Sequence, residues 1–381
     1  MRQTASQKVC VFSSLLLLAS PGAFAQTKSN PNNWPLKTVA DIPLPGPAVR
    51  FDYQSLDTTT GRLYIAHMNA DRIVVVDTAT RKVVADLAGF PRVHGVWAVP
   101  ELQRVFASAT GDHEVAAVDT QTFRTVARVG PINYPDGLAY ASGPKRVFVS
   151  DEHGNTDAVI DAQTNKLIKK IELGGGAGNT VFDRTAGRIL VAVHEKNDLA
   201  AIDPDKLEII GRYPLPGLKE PHGVALDIDN HLAFVAGAGN HTLALVDLST
   251  MKVLRTYPVG DDPDVLAFDP GLKQLYISAE SGDVWIYREK GRELEAVGHF
   301  SMPRAHTVCV DPEDTFGLLS AGEHRRTRGA AHHGTDYSFQ SMSLALVRTH
   351  RAGGAYEMDY AQEHQGRSRR LSMVDSQVCR S

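Results

Sequence analysis

The chain has 381 residues, with 43% hydrophobic and 22% charged side chains, 32 Gly, 20 Pro and 3 Cys. That balance excludes a disordered chain, a collagen-like repeat and a small disulfide framework, and the length allows one or two packed domains. Forty Lys and Arg against 44 Asp and Glu give a net charge of -4, which argues against a bulk-basic nucleic-acid binder.

At the N-terminus, Arg2 and Lys8 precede an apolar run from Val9 to Leu18, followed by Ala23-Phe24-Ala25. A basic stretch, a short apolar core and an A-x-A site read as a secretory signal over residues 1–25, cleaved after Ala25. The run is shorter than the roughly 20 apolar residues a membrane span needs, and no later stretch qualifies. The expected location is therefore the periplasm or the outside of the cell. Cys10 leaves with the signal, so the mature chain keeps Cys309 and Cys379. An exported protein could join them, but burial of Cys309 in a strand is the preferred reading.

After a lead-in over residues 26–35, Leu36 to Leu44 reads as an outer strand that precedes any inner one. A repeat then dominates. The phrase Val74-Val75-Val76-Asp77 recurs with its Asp at Asp119, Asp161, Asp203 and Asp247, at spacings of 42, 42, 42 and 44. A second phrase lies 25 residues before each of these, at Asp52, His94, Asp136, Gly178 and His222, and continues to Asp264 and His306. Each unit reads as four short strands rich in Val, Phe, Ala and Thr, broken by Gly, Pro, Asp and Asn. A period of 40 to 45 residues with four strands is the mark of propeller blades. The expectation is an all-β, seven-bladed β-propeller of four-stranded blades over residues 36–316, closed by the N-terminal strand completing the last blade.

Leu63-Tyr64-Ile65-Ala66 with Asn69, the stretch from Val76 to Val83, and its echoes at Asp161 to Lys166 and Asp247 to Lys252 resemble the YVTN-repeat, YncE-like propeller proteins of bacterial envelopes. The resemblance covers roughly residues 36–316. It implies the fold and export, and says little about activity, because propellers host unrelated functions.

The pattern fails after Pro312. His306 predicts a third-strand Asp near position 331, where the sequence reads Ala331-His332-His333. Residues 317–381 hold 9 Arg, no Lys, 6 acidic residues and 5 His. They read as an Arg/His-rich tail: a disordered extension, or the product of a shifted reading frame.

Propeller geometry places the site. The start of each innermost strand rings one mouth of the channel, so Asp52, His94, Asp136, Asn179 beside Gly178, His222, Asp264 and His306 should converge there. Loops on the same rim add His67, His113, His153, His194 and His241. Imidazole and carboxylate ligate transition metals and also exchange protons near neutral pH. His94, His222 and His306 are thus candidate ligands for a divalent metal such as Zn, with Asp136 or Asp264 beside them. The alternative is that these polar residues bond adjacent blades and cap loops. Asp261-Asp262-Pro263-Asp264 could take Ca through oxygens or form a turn. Arg92 and Arg304, each two residues before a ring His, could meet an anionic group or pair with nearby Asp.

Two function classes remain. One is an exported, monomeric scaffold binding a small molecule, metal or envelope protein at the rim, without enzymatic activity. The other is a metal-dependent hydrolase or lyase, lactonase-like in the position of its site. No cofactor is certain from the sequence, and neither nucleic acid nor a transmembrane segment is expected. Residues 26–316 carry 29 basic and 38 acidic side chains, so the body stands at -9 and favours a cation over an anionic polymer.

Overall fold

The structure, a computed structural model, describes residues 36–47, 49–302, 306–311, 316–322 and 342–349. The expected signal peptide over 1–25, the lead-in over 26–35, Arg304, Cys379 and the chain from residue 350 onward lie outside the described residues.

Alternation of apolar runs with turn formers produces a four-stranded antiparallel sheet in each unit. In the first, Gln54–Asp57, Arg62–His67, Arg72–Asp77 and Lys82–Ala88 pair in that order from the inside outward. The two middle strands are buried along most of their length, while the outer one alternates exposed and half-buried residues. This is the burial of a sheet pressed between neighbours with one edge in water. Adjacent blades share apolar layers, such as Leu190, Ala192 and Leu199 against Val235, Ala244 and Val246.

The Asp that ends the third strand in each of the first five blades serves the hairpin. Asp77 Oδ1 accepts from the Thr80 amide at 2.7 Å, and Asp119, Asp161 and Asp203 do the same for Thr122, Thr164 and Lys206 at 2.9, 2.8 and 2.9 Å. The next residue, Arg81, Phe123, Asn165 or Leu207, is left-handed. The repeating Asp is therefore turn chemistry rather than a ligand.

Six blades of four consecutive strands follow one another, over residues 54–88, 93–129, 135–172, 177–214, 221–258 and 263–301. The expectation of seven repeat-built blades is thereby corrected to six. The seventh occurrence of the repeat supplies only Thr307–Asp311, after which the period is lost. That strand joins Phe316–Gly322, Met342–Thr349 and Leu36–Leu44, in that order, in a composite sheet drawn from both ends of the chain. Leu36–Leu44 lies antiparallel to Met342–Thr349 at the sheet's edge, and Thr307–Asp311 contacts the first strands of the first and sixth blades.

The expected boundary at residue 316 also needs correction, because two strands of the composite sheet fall in the segment read as tail. The cause is the length of one connection. Residues 68–71 join the second and third strands of the first blade, whereas residues 323–341 intervene here, so a 25-residue spacing points short of Met342. The shifted frame was inferred from a missing third strand, and Met342–Thr349 stands in that place. Cys309 lies on Thr307–Asp311 with no disulfide, and burial pushes its thiol up to about 12. Among the described residues no helix is long and apolar enough to cross a membrane.

Candidate functional site

The first strands of the second to sixth blades break register at one place. Val93 pairs with Ala109 and Val96 with Ala107, so His94 and Gly95 share a bulge. The same break brackets Asp136-Gly137, Gly178-Asn179, His222-Gly223 and Asp264-Val265. A bulge re-aims its side chains and bends the strand, and here His94, Asp136, His222 and Asp264 line a common cavity with Asp52, while Asn179 and His306 are not among its lining residues. The glycines permit close approach of the next blade: a Cβ on Gly95 would sit 2.1 Å from the Asp136 carbonyl, and one on Gly223 2.1 Å from that of Asp264. Ser108 Oγ donates to the Asp136 carbonyl at 2.7 Å and Ser278 Oγ to that of His306 at 3.1 Å, fixing the ring from behind.

The cavity measures about 380 Å³. On the axis, Asn179 Nδ2 donates to the Tyr53 hydroxyl at 2.6 Å, joining the fourth blade to the first. Burial, and then the carboxylates of Asp136, Asp264 and Asp52, push the Tyr53 phenol well above its usual range, so it stays neutral.

One side of the ring is ion-paired. Asp264 lies between His306 Nε2 at 2.7 Å and His222 Nε2 at 3.0 Å. Burial alone would lower both imidazoles, but Asp264 outweighs it and raises His222 to about 9 and His306 to about 10. Burial would likewise raise Asp264, yet the two imidazolium groups hold it well below the usual carboxylate range. His222 Nδ1 is 3.0 Å from His194 Nε2; burial first, then the charge on His222, push His194 down to about 4. His194 is therefore the neutral acceptor of that bond. Arg50 Nη2 approaches His306 Nε2 at 2.7 Å. Because that nitrogen gives its proton to Asp264, the two cations meet there without a hydrogen bond, and Glu280 at 3.0 Å and Asp52 at 3.9 Å hold the guanidinium.

The other side is open. His94 Nδ1 donates to the Arg92 carbonyl at 2.7 Å, which leaves Nε2 with a lone pair facing the Tyr134 hydroxyl at 3.1 Å and Asp52 at 4.0 Å. Burial lowers the pKa of His94, and Asp52 only partly offsets this. Burial and the nearby Asp52 raise Asp136 well above the usual range. Asp52, His94 and Asp136 each offer a ligand atom within 4.8 Å of the others, as do Asp52, Asp264 and His306. The set His94, His222 and His306 does not converge in this way: His94 stands with Asp52 and Asp136, while the other two flank Asp264.

The remaining candidates divide. His153 and His194 line the cavity, the His153 ring tilted against Tyr134 with centroids 4.1 Å apart. His67 stacks on Phe51 and bonds the Pro47 carbonyl, and burial pushes it down to about 4. His113 and His241 occupy left-handed turn positions, bonded to the Asn133 carbonyl and the Asp262 amide. Arg92 lies over Tyr134 rather than in the cavity, and Arg304 is outside the described residues. Asp261 is exposed near His241 while Asp264 faces the imidazoles, so the acidic run does not gather on one point.

Several lining residues escape a reading of the ring alone: Arg50, Tyr53, Tyr134, Glu152, Glu220 and Glu280. The period nevertheless carries most of them. Arg50, Tyr134, Glu220 and Asp262 each stand two residues before a ring position, as Arg92 and Arg304 do, and Glu152, His194, Ala238 and Glu280 each stand sixteen after one.

The propeller fold is shared with a chain of Kuenenia stuttgartiensis hydrazine synthase, which matches with a TM-score of 0.63 and 16% identity over 74% of this chain and 95% of that one. At that identity the likeness speaks for architecture alone. No protein-family model and no curated protein matches the chain.

Proposed function

We propose that this chain is an exported propeller that works as a monomeric binding module, holding a small cationic ligand, a metal ion or an organic cation, in the mouth of its channel. The observation that carries the reading is the lining of the 380 Å³ cavity, where seven carboxyl side chains face one guanidinium and one imidazolium, those of Arg50 and His222. Low-dielectric walls focus such a field and concentrate counter-ions. The signal-like N-terminus supports export, and the repeat phrases together with the fold support membership of the YVTN-repeat, YncE-like group. An envelope protein presenting a basic side chain would satisfy the same cavity.

A second reading, a metal-dependent hydrolase or lyase, draws on the grouping of Asp52, His94 and Asp136 at the cavity. Titration calorimetry at pH 7 with a panel of divalent metals, small amines and carboxylates tests the main reading. Cations should bind, and Glu280→Gln with Glu152→Gln should weaken them at least severalfold. Preference for the anions, or no binding of any cation, would overturn it.

A further inference from the structure

We propose that Asp52, His94 and Asp136 form a specific site for a first-row divalent cation of the zinc type, with its remaining coordination positions open to the cavity. This deepens the reading of the mouth as a cation site and rests on it.

Three observations point to these residues. First, Asp52 and Asp136 are 2% and 5% exposed, and Asp52 Oδ1 is buried with no hydrogen-bond partner. Buried carboxylate oxygens are ordinarily satisfied, whereas Asp52 has only long contacts, 3.6 Å to His306 and 3.9 Å to Arg50, and leaves room for a closer cation. Second, His94 is oriented as metal-binding imidazoles are: one nitrogen donates to a backbone carbonyl, and the other, which accepts from the Tyr134 hydroxyl at 3.1 Å, stands 4.0 Å from Asp52. Third, all three ligand atoms already lie within 4.8 Å of one another. Bonds of about 2.0 to 2.2 Å place ligand atoms about 3.4 Å apart, so an approach of roughly 1 Å completes the site.

One imidazole and two carboxylates suit zinc or manganese better than calcium, which takes six to eight oxygens. The grouping of Asp52, Asp264 and His306 is closed by contrast, because His306 has given its lone pair to a proton and Asp264 is held by two imidazoles. Of the three His expected as ligands, only His94 is assigned to the metal. Tyr134 competes: its hydroxyl occupies the lone pair of His94.

The test is calorimetric titration of zinc, and separately of a small diamine, into chelator-treated full-length protein at pH 7. One zinc per chain is expected, weakened at least tenfold by Asp136→Asn and by His94→Ala. Tyr134→Phe frees His94 Nε2 and should tighten zinc severalfold, a gain that misfolding cannot produce. Zinc binding indifferent to all three substitutions would overturn the assignment and leave the cationic mouth standing, as would binding of the diamine without zinc. Failure of both ligands in the wild type would overturn the site and the reading beneath it.

Discussion

Replacing Asp264 by Asn isolates the ion-paired side of the ring, because the amide keeps the shape and removes the charge. Asp264 lies 2.7 Å from His306 and 3.0 Å from His222, and all three are largely buried. Raising His222 from 6.5 to about 9 corresponds to roughly 3 kcal/mol at about 1.4 kcal/mol per pKa unit. The shift at His306 draws on the same carboxylate and on Asp52, so the two do not add. Removing one partner of a buried ion pair costs about 3–5 kcal/mol, and Asp264→Asn should fall in that range. At ~2 °C per kcal/mol for a chain of this size, Tm should drop by roughly 6–10 °C. The pH dependence is the sharper signature. Both imidazoles have folded pKa values above 6.5, so their stabilisation is complete below about pH 6.5 and disappears as pH rises through about 9 and 10. Thermal melts of wild type and variant in chelator should therefore differ most near pH 6 and converge toward pH 10. A gap of constant size across that range would refute the ion-pair account and leave a packing defect in its place.

Tyr53→Phe keeps the ring on the axis but strands the Asn179 amide, so it should lower unfolding stability by about 1–2 kcal/mol in urea titration; wild-type stability would contradict the axial bond. Gly95→Ala drives a Cβ against the Asp136 carbonyl and should cost about 3 kcal/mol or fail to fold. Gly143→Ala, with nothing within 4 Å of the added carbon, should be neutral to slightly stabilising in the same assay. His67 should stay neutral down to about pH 4 in an NMR titration, since burial lowers its pKa. Its contribution to stability is present above about pH 6.5 and is lost as pH falls through about 4, and a titration midpoint near 6.5 would show that the imidazole is not enclosed.

Periodicity made the blades legible because the same physical demands recur at the same offsets. Asp77 and its equivalents recur because the third-to-fourth-strand hairpins of the first five blades use a side-chain acceptor, and the ring residues are spaced by the same 42 to 44 residues. The composite sheet was illegible for the complementary reason. Its second-to-third-strand connection is longer, so the phase was lost and Met342–Thr349 was taken for tail. Within the site, the ring could be read, but the walls required the period to be applied at other offsets, where Arg50, Tyr134, Glu152 and Glu280 stand. Tyr53 was harder still. It occupies the place that Gly95 and Gly137 hold in the next two blades, and its hydroxyl meets Asn179 of the fourth blade only once the chain has folded. Equal spacing also could not separate His94 from His222 and His306. Their difference lies in the partners: a backbone carbonyl for one, a shared carboxylate for the others.

Asp52 joins the two sides of the ring, and its contacts show why stability and binding can be separated elsewhere but not there. Its oxygens lie 3.6 Å from His306, 3.9 Å from Arg50 and 4.0 Å from His94, each beyond a good hydrogen bond. A carboxylate held by three long contacts supports each neighbour weakly and can shorten one contact only by lengthening the others. Charge removed at Asp264 therefore registers in stability, because two imidazolium groups are stranded. Substitution at Asp136 registers in binding, because a ligand is lost from the open side. Removing the charge at Asp52 withdraws support from Arg50 and His306 and a ligand from the open side together, so Asp52→Asn should lower both Tm in chelator and cation affinity. If it lowered only one, the two sides would not share this residue, and the division of the mouth into a closed and an open side would have to be drawn elsewhere.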